Sequence, residues 1–335
     1  NSNSIGCRSK NRSNWIPLNQ REKIHPFWIF CICANQITVN FIWIPIGVLT
    51  KPICAKLDLS NFATTLVMLI GSLMGFFVPP IIASLSDSTT LKFGRRRIYL
   101  IIGEAFVLLG LFFIAFCRDI TSHFNPLGHF ITTTPDDLNR TASILYFVIG
   151  QVFTSLGGNM INGPGRAMCS DVVPKSQQVY ASNICVFDGA IAGLISNSIG
   201  AFDLSRYFHL PNETIVITIS CIIGFIALVV SVISTPEEPL IQKPEKKHNP
   251  FHKMIKSVKQ MDISFTYIFL ATFLYSLGSI EFSVHSADCI ARNVFHGDPK
   301  QSMELYDEGI AFAQFLNLFT TVAQLLYSSC NTKVI

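Results

Sequence analysis

Apolar residues in this chain come in long runs separated by short polar stretches. Eight runs, near 27–49, 62–84, 98–117, 143–164, 182–202, 215–234, 263–284 and 309–327, reach the length of about 20 residues that a helix needs to cross a bilayer. The pattern predicts an all-α polytopic membrane protein. No lysine or arginine falls within a predicted span. With the amino terminus in the cytoplasm, the inner segments carry 17 of these residues and the outer segments 7, with Lys333 after the last span. Such a bias sets that orientation.

Composition agrees. Half of the residues are hydrophobic and 14% are charged, against about 25% charged in a soluble domain. The net charge of +4 does not suggest a nucleic-acid partner; the bilayer is the expected surrounding. The order of spans gives a domain plan: a basic cytoplasmic tail over 1–26, a six-helix bundle over 27–234, a linker over 235–262 and two further helices over 263–335. The linker carries Pro236, Pro239, Pro244 and Pro250. Two six-helix halves joined by such a linker are the plan of many secondary transporters. The chain therefore reads as a fragment of a twelve-helix protein, open at both ends. Within the linker, Phe251–Gln260 is either a basic amphipathic helix on the membrane surface or a solvated connection.

Chemistry-bearing patterns are sparse. The ten cysteines are scattered, with no disulfide framework and no metal-ligand spacing, and Cys31-x-Cys33 reads as packing within a span. No metal, cofactor or enzyme chemistry is expected. Two glycosylation sequons, at Asn139 and Asn212, fall in segments assigned to the outside.

The most specific loop is Asp87-Ser-Thr-Thr-Leu-Lys-Phe-Gly-Arg-Arg-Arg97, between the second and third spans. Charged side chains are costly in hydrocarbon, so Arg95, Arg96 and Arg97 hold this loop at the cytoplasmic face. Asp87 is placed to pair with that cluster or with a neighbouring helix end, and Gly94 sits at its turn. Such a pair would latch one arrangement of a moving bundle. A plain positive-inside loop would look similar.

Polar side chains recur on one face of three spans: Gln36, Asn40 and Trp43 in the first; Gln151, Ser155, Asn159 and Asn162 in the fourth; Gln314, Asn317, Thr321 and Gln324 in the eighth. Amides and hydroxyls suit an uncharged polyol such as a sugar, and Trp43 and Tyr275 offer aromatic faces. The same residue types also join helices in membranes. Three carboxylates, Glu104, Asp188 and Glu281, lie within predicted spans, where an acid is a candidate for proton exchange. Pro45, Pro79-Pro80, Gly157-Gly158 and Gly163-Pro164-Gly165 mark where spans would bend.

Three stretches carry a family resemblance: the Gly94–Arg97 loop preceded by Gly71-x-x-x-Gly75, the segment Asn159–Asp171 followed by Ala181-Ser-Asn183, and Asp288–Pro299 followed by Tyr306-x-x-Gly309. They resemble the sucrose-transporter-like branch of the major facilitator superfamily. That resemblance implies proton-coupled symport of sucrose or a related glycoside by alternating access. It makes Arg166 and Asp288 candidates for substrate binding and adds Asp171 to the proton-coupling candidates. Departures accompany it: Ser155 stands where plant members place a coupling aspartate, Gln178 and Tyr180 lie near the position of a sugar-binding arginine, and Asn293 replaces a glutamate. Either coupling has moved to the new carboxylates, or coupling and sucrose specificity are lost. A facilitator for another polar solute and a non-transporting sensor are the alternatives. The plasma membrane or an internal membrane would serve equally.

Overall fold

The computed structural model describes residues 18, 21–91, 94–123, 135–202, 204–208, 210–235, 259–260 and 262–334, with the backbone alone at 122, 123, 135–138, 206, 277, 278, 280–284 and 331–334. The helices are α1 (Pro26–Cys33), α2 (Asn35–Lys56), α3 (Asn61–Ser88), α4 (Arg97–Ala115), α5 (Cys117–His123), α6 (Pro135–Val172), α7 (Gln178–Ala201), α8 (Ser205–Phe208), α9 (Asn212–Ser234), α10 (Ile263–Asn293) and α11 (Met303–Val334). No strand occurs among the described residues. Among the described residues, seven stretches are long and apolar enough to cross a membrane, and Ile263–Ser276 of α10 is a shorter apolar helix. The chain is an integral, multi-pass membrane protein.

Helix ends differ from the hydropathy reading for a physical reason. Hydropathy marks the hydrocarbon-embedded turns, whereas a helix can continue into the headgroup region with its backbone bonds intact. The predicted first span, 27–49, is two helices that meet at Ala34 and continue to Lys56. His25 caps the first of them, its Nδ1 accepting from the Phe27 N–H at 3.3 Å, with Pro26 at the first turn where no donor is needed. Pro45 and Pro52 are both absorbed within α2. The largest difference is α6. It runs for 38 residues, about 57 Å at 1.5 Å per residue. It passes through the expected breaker Gly163-Pro164-Gly165 and carries Arg166 and Asp171 in its last turns. The expected loop over 165–180 therefore shrinks to a short link containing the 3₁₀ turn Lys175–Gln177. Of the linker, only Thr235, Lys259, Gln260 and Asp262 are described, so the rest of Phe251–Gln260 lies outside the described residues.

Close packing is glycine-based. On α4 and α6, Gly103 faces Gly157 and Gly110 faces Gly150, and a Cβ on Gly157 would stand 2.4 Å from the Gly103 carbonyl oxygen. Small residues let backbones approach where lipid removes any hydrophobic drive between helices. Around this pair, α3 packs on α6, and α2 packs on α7 and α9. The last two helices join the rest through α2, which meets α10, and α7, which meets α11. Large apolar side chains point outward on α3 (Leu66, Leu69, Leu73, Phe76) and on α10 (Phe265, Ile268, Phe269, Phe273), as a lipid-facing surface requires.

Candidate functional site

At the end of the bundle where α3 meets α4, Gly94 has φ of 118°, a conformation that L side chains rarely adopt. That turn sets the arginines against the end of α6. Arg96 is buried, and its Nη2 lies 2.8 Å from Asp171 Oδ2 and 3.7 Å from Asp87 Oδ1. Arg95 also pairs with Asp171. Arg97 opens α4. One carboxylate on α6 thus receives two guanidinium groups from the α3–α4 loop, with Asp87 as a third partner on the rim. Asp171, a candidate for proton exchange, is engaged as an ion-pair acceptor here.

The opposite end carries a second set of ion pairs, and these join the first six helices to α10 and α11. Lys51 Nζ lies 2.9 Å from Asp288 Oδ2 and 2.7 Å from His285 Nδ1. Asp288 Oδ1 also accepts from the Tyr306 hydroxyl at 2.7 Å and Arg292 Nε at 2.9 Å. The Lys56 ammonium, almost wholly buried, bridges Glu213 of α9 at 3.1 Å and Asp307 of α11 at 2.6 Å. Lys300 and Arg140 meet on Asp58 at 2.5 and 3.2 Å. Asp288 lies in the last turns of α10, beyond the predicted span over 263–284. Burial would raise its pKa, but the donors Tyr306, Lys51 and Arg292 outweigh this and hold it below the usual carboxylate range. The candidate substrate residue Asp288 is thus the hub of an inter-helix tie.

At the Asp171 end of the bundle, a cavity of about 480 Å³ lies among the first turns of α2 and α7 and the last turns of α6 and α11. Its lining includes Gln36, Arg166, Gln178, Ser182, Cys185 and Gln324. Most other members of the polar stripes are spent on helix packing. Gln151 Nε2 donates to Thr50 Oγ1 at 2.8 Å. Ser155 and Asn159 lie against Gly71 and Gly75 of α3, and Asn159 also donates to the Ser155 carbonyl at 2.8 Å. The Asn40 amide donates to the Gln36 carbonyl at 2.8 Å and covers Gly189, while Trp43 lies over Gly158. On α11, Gln314 and Thr321 rest on Gly200 and Gly193. Asn317 is half-buried, and Asn162 keeps a buried Oδ1 with no hydrogen-bond partner. Tyr275 is exposed.

The family model of the Major Facilitator Superfamily matches residues 11–326. The chain belongs to that superfamily. Among curated proteins it is similar to the sucrose transport protein SUT5 of rice (Oryza sativa subsp. indica), 21% identical over 319 residues, which cover 88% of this chain and 58% of the relative. It is also similar to rice SUT1 (Oryza sativa subsp. japonica), 24% identical over 301 residues covering 80% and 55%. Sucrose transport protein SUC3 of Arabidopsis thaliana is 28% identical over 174 residues covering 50% and 28%. The chain spans a little over half the length of the first two relatives.

Two buried acids stand out in this facilitator-superfamily chain. Asp188 is fully buried on α7, and neither carboxyl oxygen has a hydrogen-bond partner. Glu104 is buried on α4 with its Oε2 equally unpartnered. The backbone of Glu281 is helical within α10, and its side chain lies outside the described residues. The sequons are in helices, not loops: Asn139 is exposed near the start of α6, and Asn212 opens α9. The Asn212 amide donates to the Gly200 carbonyl at 3.3 Å and accepts from the Leu204 N–H at 3.4 Å. Hydropathy reading also missed Lys51, Lys56, Glu213 and Asp307, treating the lysines as mere outer charges. Two lysines, Lys51 and Lys56, just past the end of the apolar run over 27–49 were the available signal. The repeated seven-residue spacing of Gly103/Gly110 and Gly150/Gly157 was equally visible in the sequence.

Proposed function

We propose that the chain is the larger part of a secondary transporter that moves sucrose or a related glycoside by alternating access. Superfamily membership and the names of its plant relatives support this reading. The observation that carries it is the polar-lined cavity among α2, α6, α7 and α11. The ends of α2, α10 and α11 are tied by Lys51–Asp288 and Lys56–Asp307, while the other ends of α2 and α11 line a cavity with α6 and α7. At about 480 Å³ it falls within the range of small-ligand sites. Its amide and hydroxyl lining can donate to and accept from a polyol without fixing a charge. Arg166 adds one cationic donor at the rim.

In the same reading the amino terminus is cytoplasmic, residues 27–234 form one repeat, and the Arg95/Arg96–Asp171 cluster is the inner latch. Buried carboxyls without partners, Asp188 and Glu104, are the proton carriers, with Glu281 a third candidate. The bilayer, a sugar and H⁺ are the partners, and one chain suffices. The plasma membrane or an internal membrane is the setting. A facilitator without proton coupling is the second reading, favoured by one observation: among the described residues, no carboxylate lines the cavity.

A test of the cavity uses the full-length protein bearing Gln324→Cys or Ser182→Cys. Alkylation of the new thiol by a maleimide should slow severalfold when sucrose is present. Equal rates with and without sucrose, maltose and trehalose would remove sugars as the cavity's ligand.

A further inference from the structure

Three cysteines far apart in sequence converge at the inner end of the bundle. The sulfurs of Cys33 (α1), Cys169 (α6) and Cys185 (α7) all lie within 4.8 Å of one another. Cys33 and Cys169 are buried, and Cys169 and Cys185 line the inner cavity, which gives a path to the cluster from solution. The Asn35 amide donates to Cys169 Sγ at 3.5 Å. The Cys33 and Cys169 thiols face the carbonyls of Ala181 and Ile32, both at 3.8 Å. One turn from Cys185, the fully buried Asp188 carboxyl has no hydrogen-bond partner.

Buried thiols are ordinarily small apolar packing groups, and each of these alone would read so. Three on three helices, with an amide donor and an orphan carboxyl beside them, form a donor set of a different kind. Thiolates select soft cations of the zinc and copper(I) type over magnesium or calcium. At a metal–sulfur length near 2.3 Å, three bound sulfurs stand about 3.8–4.0 Å apart, so the cluster would need to contract by less than about 1 Å. Charge decides between the cations. Three thiolates leave about one net negative charge around a divalent ion and two around copper(I), and burial penalises the larger excess.

We propose that Cys33, Cys169 and Cys185 bind one divalent d¹⁰ cation of the zinc class at the inner end of the bundle. Binding releases the thiol protons to the cavity and pins α1, α6 and α7 together. A cavity water completes the coordination. This goes beyond the transport reading and does not depend on it.

The test titrates the purified full chain with cadmium, a spectroscopic stand-in for zinc, and follows thiolate-to-cadmium charge-transfer absorption. One equivalent should saturate the band, and zinc should compete it away. Cys33→Ser, Cys169→Ser and Cys185→Ser should each weaken binding at least tenfold, whereas Cys289→Ser and Cys330→Ser, at exposed positions, should leave it unchanged. A wild-type protein without the band, or a Cys169→Ser protein that keeps it undiminished, overturns the proposal. A second readout needs no variant: cadmium should slow maleimide alkylation of Cys185 in the wild-type protein, and an unaltered rate again overturns it.

Discussion

Lys51 and Asp288 meet at 2.9 Å, joining α2 of the first six helices to α10 of the segment that follows the linker. The two are unequal partners. Asp288 also accepts from Arg292 and Tyr306, while Lys51 has His285 as its other contact. Removing Asp288 therefore leaves the buried Tyr306 hydroxyl without its acceptor and takes one partner each from the partly exposed Lys51 and the exposed Arg292. Removing Lys51 leaves Asp288 two donors. Asp288→Ala should destabilise the solubilised protein by about 3 kcal/mol, and Lys51→Ala by about 1 kcal/mol. Thermal unfolding of the two variants in one detergent checks the order; equal losses would mean that the hub is not Asp288.

The same tie should survive acidification. Tyr306, Lys51 and Arg292 overcome burial to depress the Asp288 pKa, and the backbone N–H groups of Lys300 and Gln301 depress that of Asp298. A group whose folded pKa is depressed contributes stability that is full above its unfolded value, about 3.9 for aspartate. That contribution is lost only as pH falls through the lower folded value. The Asp288 contribution to the tie should therefore be unaltered between pH 7.5 and about 5. In a His285→Gln protein, a distance between spin labels at the ends of α2 and α11 nearest Lys56 and Asp307 should stay constant over that range; a change near pH 6 would contradict the assignment.

At the other end, Arg96 and Asp171 at 2.8 Å should act as a coupled pair. Arg96→Gln and Asp171→Asn should each reduce transport roughly tenfold, equivalent to about 1.4 kcal/mol. The double variant should lose little more than either single one, because both remove the same interaction. Fully additive losses would show that the two act separately.

The glycine seam gives the sharpest stability contrast. A Cβ at Gly110 would stand 2.3 Å from Thr154 Oγ1 and 2.7 Å from the Gly150 carbonyl oxygen, whereas one at Gly163 meets nothing within 4 Å. Gly110→Ala should force α4 and α6 apart at a cost of about 1–3 kcal/mol. Gly163→Ala, in open helix, should be neutral or slightly stabilising, since alanine loses less backbone freedom in a helix. Unfolding temperatures of the two variants check the difference.

How much of this was legible in the sequence follows from the solvent. Hydrocarbon accepts no unpaired backbone group and few charges, so the spans and the Gly94–Arg97 turn can be read from one-dimensional pattern. Ends cannot: α6 continues to Val172 because nothing in the headgroup region stops a bonded helix, even at Pro164. Stripes are half-legible. A polar face says that Gln151 or Gln314 avoids lipid, and it cannot say whether a cavity or a glycine of the next helix receives it. Thr50 receives the first and Gly200 lies under the second. Pairings across the chain, such as Lys56 with Asp307 or Cys33 with Cys169, leave no local spacing to find.

The most direct test is electrical. The full-length protein, expressed in oocytes, is exposed to sucrose, maltose and trehalose at acidic and neutral outside pH while uptake and current are recorded together. The expected result is sugar uptake with an inward current that grows as outside pH falls and is lost on neutralising Asp188 and Glu104 together. Uptake with neither current nor pH dependence would contradict proton coupling, and no uptake of any sugar would contradict the transport reading itself.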